Sequence, residues 1–255
     1  MNIVAIIPAR MSASRFPGKP LVDIAGMPMI GHVYHRVREC KILTETYVAT
    51  CDNEIAEYIQ GVGGKVVMTA KTHERCSDRC AEALLKIEQF TGKKIDILVM
   101  VQGDEPLVNP QMIDEAVNPL LNNPEINIVN LAGDISDRDE FEDPNEIKVI
   151  VDKHSNALCF SRSPIPFMKK EFDKSVMKKQ ICIIPFRRDF LIQFNQWTPL
   201  SLEKLESIDM LRVLEHGYDV HIVPTKHKMK SVDTPSDLKI VEQIMKERLC
   251  DAKYI

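Results

Sequence analysis

Three cationic side chains lie in one short segment near the amino terminus, residues 10–19, which we call the basic loop. Arg10, Arg15 and Lys19 follow an apolar run at residues 3–7, with Gly18 and several small residues between them. Small residues let backbone N–H groups approach an anion, and arginine and lysine add positive charge, as phosphate binding requires. The spacing is not that of a Walker P-loop, since G-x-x-x-x-G-K-[ST] is absent. An exposed basic loop would carry the same charges, but the position directly after a buried strand favours phosphate binding.

Two aspartates have the sequence context of carboxylates that face a ligand. Asp104 follows a strongly apolar run, and Asp233 lies immediately before Thr234 and Pro235. A carboxylate at the end of a buried strand is costly unless a cation neutralises it. Mg²⁺ prefers oxygen ligands and is usually held by one or two carboxylates together with substrate phosphates. N-capping of a helix would explain Asp233 alone, but its pairing with Asp104 favours a magnesium site.

A third segment contains possible zinc ligands. His73, Cys76 and Cys80 have a suitable spacing, but a fourth ligand is not evident and both cysteines fit one face of a helix. The preferred interpretation is the start of a helix capped by Ser77 or Asp78. Arg79 would then lie near a bound nucleotide.

The elements that position these residues follow from the alternation of short apolar runs with amphipathic segments. The pattern predicts strands at residues 3–7, 46–50, 65–68 and 95–102, and helices at 29–40, 53–62 and 78–90. Strand–helix alternation indicates parallel strands joined by right-handed crossovers. In open sheets of this kind, ligands bind beyond the carboxyl ends of the strands. The residues after Pro8 and after Val101 are therefore predicted to lie on the same side.

The second half of the chain has a different pattern. It predicts strands at residues 126–131, 147–151, 157–161 and 180–186 with few intervening helices, then a helix at 202–215, a strand at 220–223 and a helix at 235–246. We interpret residues 127–194 as an antiparallel subdomain. The predicted fold class is α/β: a mostly parallel sheet flanked by helices in a single domain, 1–255, with this smaller antiparallel subdomain.

Composition limits the function and location of the protein. The formal net charge is −4, so there is no electrostatic basis for binding duplex nucleic acid. An odd number of cysteines, seven, at irregular spacing argues against a disulfide framework and for a reducing compartment. No apolar stretch approaches the roughly 18 residues that cross a bilayer, and the amino-terminal run is too short for export. We predict a cytoplasmic protein without membrane insertion.

Five motifs resemble those of the 3-deoxy-manno-octulosonate (Kdo) cytidylyltransferases, the CMP-Kdo synthetases. The first, IPARMSASRFPGKPL, is similar to the family's I-P-A-R-x-x-S-x-R-x-P-G-K-P-L. The others are VQGDEP, FSRSPIP, FRRDFL and VDTPSDL, which begin at residues 101, 160, 186 and 232. The similarity extends over residues 2–246. It implies a Rossmann-like nucleotidyltransferase fold and a Mg²⁺-dependent transfer of CMP from CTP to the anomeric hydroxyl of Kdo or a related 3-deoxy-ulosonic acid, with release of pyrophosphate.

The resemblance also implies roles for individual residues. Arg10, Arg15 and Lys19 would hold the triphosphate, and Asp104 and Asp233 would ligate Mg²⁺. The nucleotide-binding set is completed by Ser77, Arg79 and Gln102. The resemblance further implies a homodimer and a product, CMP-Kdo, used for surface lipopolysaccharide.

The chain departs from the family pattern in the segments that carry the sugar-binding side chains. The family's H-x-G-x-Y appears as QICII at residues 180–184, and its L-E-Q-L-R as IDMLR at 208–212. The residues at the implied sugar positions are Arg162, Gln180, Ile184, Asp209 and Met210. These changes leave two alternatives open: a different acidic acceptor, such as an amino-sugar acid or a phosphonate, and a non-catalytic nucleotide-binding paralogue.

Overall fold

The computed structural model of the protein describes residues 1–12, 16–169 and 176–251, with side chains through residue 247. The chain folds into two compact units. The first comprises Met1–Ile95, Met100–Pro110 and Met229–Ile255, and the second comprises Asp96–Val99 and Gln111–Lys228. The second unit is thus largely one long insertion in the sequence of the first.

Strands and helices are numbered in chain order. The strands are β1 (Ile3–Ala9), β2 (Asp23–Ile24), β3 (Met27–Pro28), β4 (Glu45–Thr50), β5 (Lys65–Met68), β6 (Ile97–Val101), β7 (Val129–Asp134), β8 (Lys148–Val151), β9 (Ala157–Ser161), β10 (Lys178–Ile181), β11 (Ile183–Arg187) and β12 (His221–Pro224). The helices are α1 (Met29–Arg38), α2 (Asn53–Gly61), α3 (Cys76–Thr91), α4 (Pro110–Asn122), α5 (Arg138–Glu142), α6 (Arg188–Gln196), α7 (Ser201–Glu206), α8 (Asp209–Glu215) and α9 (Pro235–Asp251). A short 3₁₀ helix spans Lys19–Leu21.

The first unit contains an open parallel sheet. In it, β1 is parallel to β4 and β4 is parallel to β5. The neighbour of β1 on its other side is β6, of which only Met100 and Val101 belong to this unit. All seven residues of β1 are buried, as expected of a continuous apolar run in a sheet covered on both faces. The predicted α/β fold with a mostly parallel sheet flanked by helices is confirmed.

The carboxyl-terminal helix α9 belongs to the core of the first unit. A cluster of buried side chains joins it to the hairpin β2–β3, to α1 and to the turn after β6: Ile24, Met29, Leu107, Val232, Val241 and Met245. Burying one such side chain contributes about 1.5–3 kcal/mol. Helix α9 therefore fixes the segment that contains Asp233 to the rest of the unit.

The second unit contains a separate, mainly antiparallel sheet in the order β12, β7, β10, β8, β9. Strand β10 is antiparallel to β7 and β8, and β8 to β9, whereas β12 is parallel to β7. Strand β11 lies beside β6 instead. The predicted antiparallel layer is confirmed, although the unit is longer at both ends than residues 127–194. The description of residues 1–255 as a single domain stays a prediction.

Two predicted elements of the second unit are interrupted in the structure. The strand expected at residues 180–186 is divided between β10 and β11, which pair with different neighbours. The helix expected at 202–215 is divided into α7 and α8, because Ser207 has a left-handed backbone conformation with φ of 57°. Helices α4, α5 and α6 were not predicted. No helix in the described residues has the length and apolar character needed to cross a membrane.

Candidate active site

The ends of β1 and β6 lie next to each other, as predicted from the parallel sheet. Gly103 follows β6, and a Cβ atom placed on it would lie 3.0 Å from the carbonyl oxygen of Pro8. A larger residue at this position would press on the backbone of β1. Glycine thus allows the turn after β6 to lie against the start of the basic loop.

Lys19 lies between the two predicted carboxylates. Its Nζ donates to Asp104 Oδ2 at 2.7 Å and to Asp233 Oδ1 at 3.3 Å. Burial lowers the pKa of Lys19, but the charges and hydrogen bonds of Asp104 and Asp233 raise it by more, so the pKa lies above its ordinary value. Lys19 is therefore positively charged at neutral pH, and the group as a whole has one negative charge in excess.

Local backbone structure brings the three residues together. Gly18 has φ of 75°, a left-handed conformation that favours glycine, and it precedes the 3₁₀ helix that begins at Lys19. The two aspartates are held together by a separate contact, in which the N–H of Val232 donates to the carbonyl oxygen of Asp104 at 3.0 Å. This backbone hydrogen bond holds the segment before α9 against the turn after β6, so that Asp233 lies close to Asp104.

The start of α9 has a reciprocal capping arrangement. Asp237 Oδ2 accepts the N–H of Thr234 at 2.9 Å, and Thr234 Oγ1 accepts the N–H of Asp237 at 3.3 Å. Thr234 and Asp237 thus supply a capping box for this helix, while the Asp233 carboxylate contacts Lys19. The alternative that Asp233 caps this helix is therefore wrong, and its role as a magnesium ligand stays a prediction.

A cavity of about 220 Å³ opens beside this group. Its lining includes five of the predicted residues: Arg10, Lys19, Gln102, Asp104 and Asp233. Pro8, Ala9, Phe16, Pro20, Cys76 and Gly103 complete it. Arg15 lies outside the described residues. The residues selected from the sequence therefore lie together around one cavity, where the strand ends, the basic loop and both aspartates meet.

The start of α3 differs from the prediction. The helix begins at Cys76, and its N-cap residue is Arg75, with no side-chain capping bond. The prediction that Ser77 or Asp78 caps the helix is therefore wrong, since both lie within its first turn. Ser77 is fully buried.

Arg79 is buried beneath the loop that precedes α3. Its guanidinium donates to Thr69 Oγ1 and to the carbonyl oxygens of Ala70 and His73. It also lines a smaller cavity of about 40 Å³ together with Arg10 and Cys76. His73 Nε2 contacts Glu82. Arg79 thus orders the loop next to the larger cavity, and its predicted contact with a nucleotide stays a prediction.

Comparison with known proteins decides the family. A family model described as cytidylyltransferase matches residues 4–228. A protein of Geobacter sulfurreducens named 3-deoxy-manno-octulosonate cytidylyltransferase is 42% identical over 255 residues, which cover 96% of this chain and 100% of the relative. The protein of that name from Syntrophus aciditrophicus is 41% identical, over 96% of this chain and 97% of the relative. The chain belongs to the 3-deoxy-manno-octulosonate cytidylyltransferase family.

A solved structure agrees with this family. It is a CMP:2-keto-3-deoxy-manno-octonic acid synthetase in complex with CTP, 35% identical to this cytidylyltransferase with a TM-score of 0.88. The match covers 97% of this chain and 100% of that chain. The resemblance in the five motifs therefore extends to the whole fold.

The carboxylates of this cytidylyltransferase are suited to a hard divalent cation. In the described part of the chain, Asp104 Oδ1 is a buried oxygen without a hydrogen-bond partner. Asp104 and Asp233 together carry one charge more than Lys19 neutralises. No group of three or more His, Cys, Asp or Glu residues within the same part could hold a metal ion. Two carboxylates with further oxygens from phosphates and water are a usual donor set for Mg²⁺.

The predicted sugar-binding residues lie in the second unit and are held in different ways. Arg162 donates from Nε to the carbonyl oxygen of Glu206 at 2.8 Å and from Nη1 to that of Pro144 at 2.9 Å. Gln180 donates to Asn130 Oδ1. Both side chains are therefore part of hydrogen-bond networks within the unit.

The other three sugar-site candidates differ in exposure. Ile184 and Met210 have relative exposures of 2% and 0%, and Asp209 is half-buried in the first turn of α8. Burial of Ile184 and Met210 favours a packing role for these two. The assignment of all five residues to a sugar site stays a prediction.

Two residues that organise these regions were missed in the sequence. Asp52 Oδ2 accepts the N–H of Met11 in the basic loop at 2.8 Å. The Glu206 carboxylate accepts from Ser161 Oγ at 2.6 Å and from the N–H of Arg162 at 3.0 Å. In each case the aspartate or glutamate is more than 40 residues away from its partner, and no local pattern indicates the contact.

Proposed function

We propose that the protein is a Mg²⁺-dependent transferase that joins CMP from CTP to the anomeric hydroxyl of Kdo and releases pyrophosphate. The observation that carries the proposal is the Lys19 ammonium between Asp104 and Asp233, on a cavity that Arg10 and Gln102 also line. Relatives named 3-deoxy-manno-octulosonate cytidylyltransferase, at 42% identity over almost the whole chain, support the choice of substrates.

The proposed reaction is an in-line substitution at the α-phosphorus. The anomeric oxygen of the sugar forms a new bond to phosphorus and gives up its proton to solvent water, and the bond between the α-phosphorus and the bridging oxygen breaks. Pyrophosphate leaves with the electron pair. Such a reaction needs positioning and charge neutralisation rather than a protein nucleophile. Lys19 and Arg10 supply positive charge to the phosphates, and Gln102 contacts the nucleotide from the end of the neighbouring strand, β6.

Asp104 and Asp233 are the residues that would hold the divalent cation. When bound, Mg²⁺ neutralises phosphate oxygens and lowers the pKa of a coordinated hydroxyl. The buried oxygen Asp104 Oδ1 is available for this contact, and Asp233 contributes a second carboxylate. Lys19 then exchanges part of its contact with the carboxylates for contact with a phosphate.

The decisive assay measures pyrophosphate release with Mg²⁺, CTP and Kdo. Turnover is expected only when all three are present. Asp104→Asn should lower kcat/KM by about 10²-fold or more, the usual effect of losing one electrostatic contact to the reacting groups. Asp139→Asn, an exposed aspartate on α5, is the matched control and should retain full activity. Full activity of Asp104→Asn would remove the metal assignment.

A second candidate keeps CTP and replaces Kdo with another acidic acceptor. It is favoured by the apolar side chains at two implied sugar positions, Ile184 and Met210, which offer no partner for a sugar hydroxyl. A panel of Kdo, amino-sugar acids and phosphonates in the same assay separates the two candidates. A clear preference for Kdo eliminates the second.

The non-catalytic alternative has little support, because the chain retains Lys19 and both carboxylates in contact. CTP binding by calorimetry without turnover on any acid would revive it. A homodimer, a cytoplasmic location and a role in lipopolysaccharide synthesis complete the proposal.

A further inference from the structure

Asp52 has an unusual position for the contact that it makes. It follows β4 and is the N-cap residue of α2, where an aspartate commonly accepts an N–H from the first turn of its own helix. In this protein the Asp52 side chain makes no capping bond. Its Oδ2 instead accepts the N–H of Met11, 41 residues away, at 2.8 Å.

This contact is continued through the basic loop to Lys19. The carbonyl oxygen of Met11 accepts the N–H of Gly18 at 3.0 Å. The carbonyl oxygen of Gly18 accepts the N–H of Leu21 at 3.0 Å, which closes the turn that contains Lys19. Met11 thus joins the two ends of the loop. Arg10 directly precedes it, and Lys19 directly follows Gly18.

Asp52 is itself held firmly. Its N–H donates to Thr50 Oγ1 at 3.1 Å, and the Cys51 thiol contacts the same Oδ2 oxygen at 3.6 Å. Thr50 is fully buried. The carboxylate is therefore fixed to the parallel sheet through the end of β4, and it transmits that fixed position to Met11.

The charge of Asp52 has two opposite effects on a nearby phosphate site. A carboxylate beside a loop that binds a triphosphate repels the ligand, at an energetic cost. A hydrogen bond from a backbone N–H to an ionised carboxylate is stronger than one to a neutral acceptor. Ordering of the loop can offset the repulsion between Asp52 and the phosphates when an ordered loop binds the triphosphate more tightly than a disordered one.

We propose that Asp52 is a positioning residue for the triphosphate: it holds Met11 so that Arg10 and Lys19 face the phosphates from a preorganised loop. The inference rests on the proposed function, because it assigns the loop to the triphosphate of CTP. Asp52 itself contacts no substrate.

The test compares Asp52→Ala and Asp52→Asn with the unaltered protein. Asp52→Ala removes the acceptor, and KM for CTP should rise about tenfold to a hundredfold, as expected for loss of a hydrogen bond to a charged group. Since the loop contacts phosphates before and during the reaction, kcat should change by less than about threefold. Asp52→Asn keeps an oxygen that accepts the Met11 N–H, and it should restore KM to within about threefold of the unaltered value.

The pattern of kcat and KM, together with one control variant, separates positioning from loss of stability. A destabilised variant has fewer active molecules, which lowers the apparent kcat and leaves KM for CTP unchanged. Glu54→Ala removes an exposed carboxylate from the first turn of the same helix without touching the loop, and it should leave KM unchanged. An unchanged KM in Asp52→Ala, or failure of Asp52→Asn to restore it, would overturn the proposal.

Hydrogen exchange of the Met11 amide tests the inference without substrate. In the nucleotide-free protein this amide should be protected, and Asp52→Ala should accelerate its exchange while Glu54→Ala does not. Protection that is unaffected by Asp52→Ala would overturn the inference even if the enzyme turns over CTP. Conversely, an inert unaltered protein with the expected exchange pattern would refute the proposed function alone.

Discussion

At the scale of single residues, Lys19 acts as an internal cation between two carboxylates. Its Nζ lies 2.7 Å from Asp104 Oδ2 and 3.3 Å from Asp233 Oδ1. In the proposed function the same two carboxylates hold a metal ion. Two cations close to the same oxygens repel each other. Mg²⁺ is therefore expected to bind most favourably together with CTP, whose phosphates attract the lysine.

Replacement of Lys19 should show this competition directly. Lys19→Met removes the internal cation, so the nucleotide-free variant should bind Mn²⁺ or Mg²⁺ about tenfold more tightly than the unaltered protein. Turnover should be lost, because no ammonium remains for the phosphates. Calorimetric titration with Mn²⁺ measures the affinity. Lys65→Met, which removes a lysine paired with Glu45 elsewhere, should leave it unchanged, and equal affinity of the Lys19 variant would contradict the competition.

The residues that sequence reasoning found share one property: they follow the carboxyl ends of buried strands or lie in marked motifs. Lys19 and Asp104 could be selected because parallel strands bring their ends to one edge, and Asp233 could be selected because it lies in the motif VDTPSDL. Asp52 also follows a predicted strand, but its contact with Met11 could not be predicted, and neither could the contacts of Glu206, because each carboxylate accepts hydrogen bonds from groups that are distant in sequence. Side chains that order a loop through its backbone leave no local pattern.

At the scale of elements, the break between α7 and α8 replaces one predicted helix with two. Ser207 has φ of 57°, and the two helices are joined by a buried ion pair. Arg212 donates from Nε and Nη2 to the Glu203 carboxylate at 2.7 and 2.6 Å, and the two residues have 2% and 0% relative exposure. Apolar periodicity alone favoured a continuous helix and gave no indication of the left-handed Ser207 or of this ion pair between the two helices.

Disruption of that pair should be strongly destabilising. Glu203→Ala leaves the Arg212 guanidinium buried without its carboxylate, so the free energy of unfolding should fall by about 3–5 kcal/mol. Urea denaturation measures the change. The double variant Glu203→Leu with Arg212→Met removes both charges and should recover most of the loss. A single variant as stable as the unaltered protein would show that the pair has no such role.

Glu82 connects α3 to the loop before it and gives a pH-dependent prediction. Burial raises the pKa of Glu82. Hydrogen bonds from Lys86, the Ala70 N–H and His73 lower it by more than burial raises it, so the pKa of Glu82 is about 2. A carboxylate with a lowered pKa stabilises the fold above its ordinary pKa of about 4.5, and this contribution is lost as the pH falls towards 2.

Glu82→Gln should therefore lower the free energy of unfolding by about 1 kcal/mol at pH 7, the size typical of a partly exposed charged contact. The difference from the unaltered protein should shrink as the pH falls below 4.5. Urea titrations at several pH values measure it. Glu142→Gln, in an exposed pair with Arg138, is the control, and a difference that grows with acidity would contradict the assignment.

At the scale of the whole molecule, the alternation of strands and helices was sufficient to predict a parallel α/β sheet and a separate antiparallel layer. Periodicity gives the kind of element but not its neighbours, so the division of residues 180–186 between β10 and β11 could not be foreseen. The boundaries of the second unit depend on packing between segments far apart in sequence. Such packing leaves no periodic signal.

Binding of substrate should stabilise the protein as a whole. A ligand that binds only the folded state at a hundred times its Kd adds about 2.7 kcal/mol to the free energy of unfolding. CTP with Mg²⁺ should therefore raise the Tm by about 5–10 °C, measured by circular dichroism. Asp104→Asn should reduce the shift. The absence of any shift in the unaltered protein at saturating CTP would argue against a nucleotide site.

The Lys19 contacts join points 85 and 214 residues apart along the polypeptide. A growing polypeptide therefore contains Lys19 and Asp104 well before Asp233 has been synthesised. Any product truncated before residue 233 therefore lacks the second carboxylate contact of Lys19.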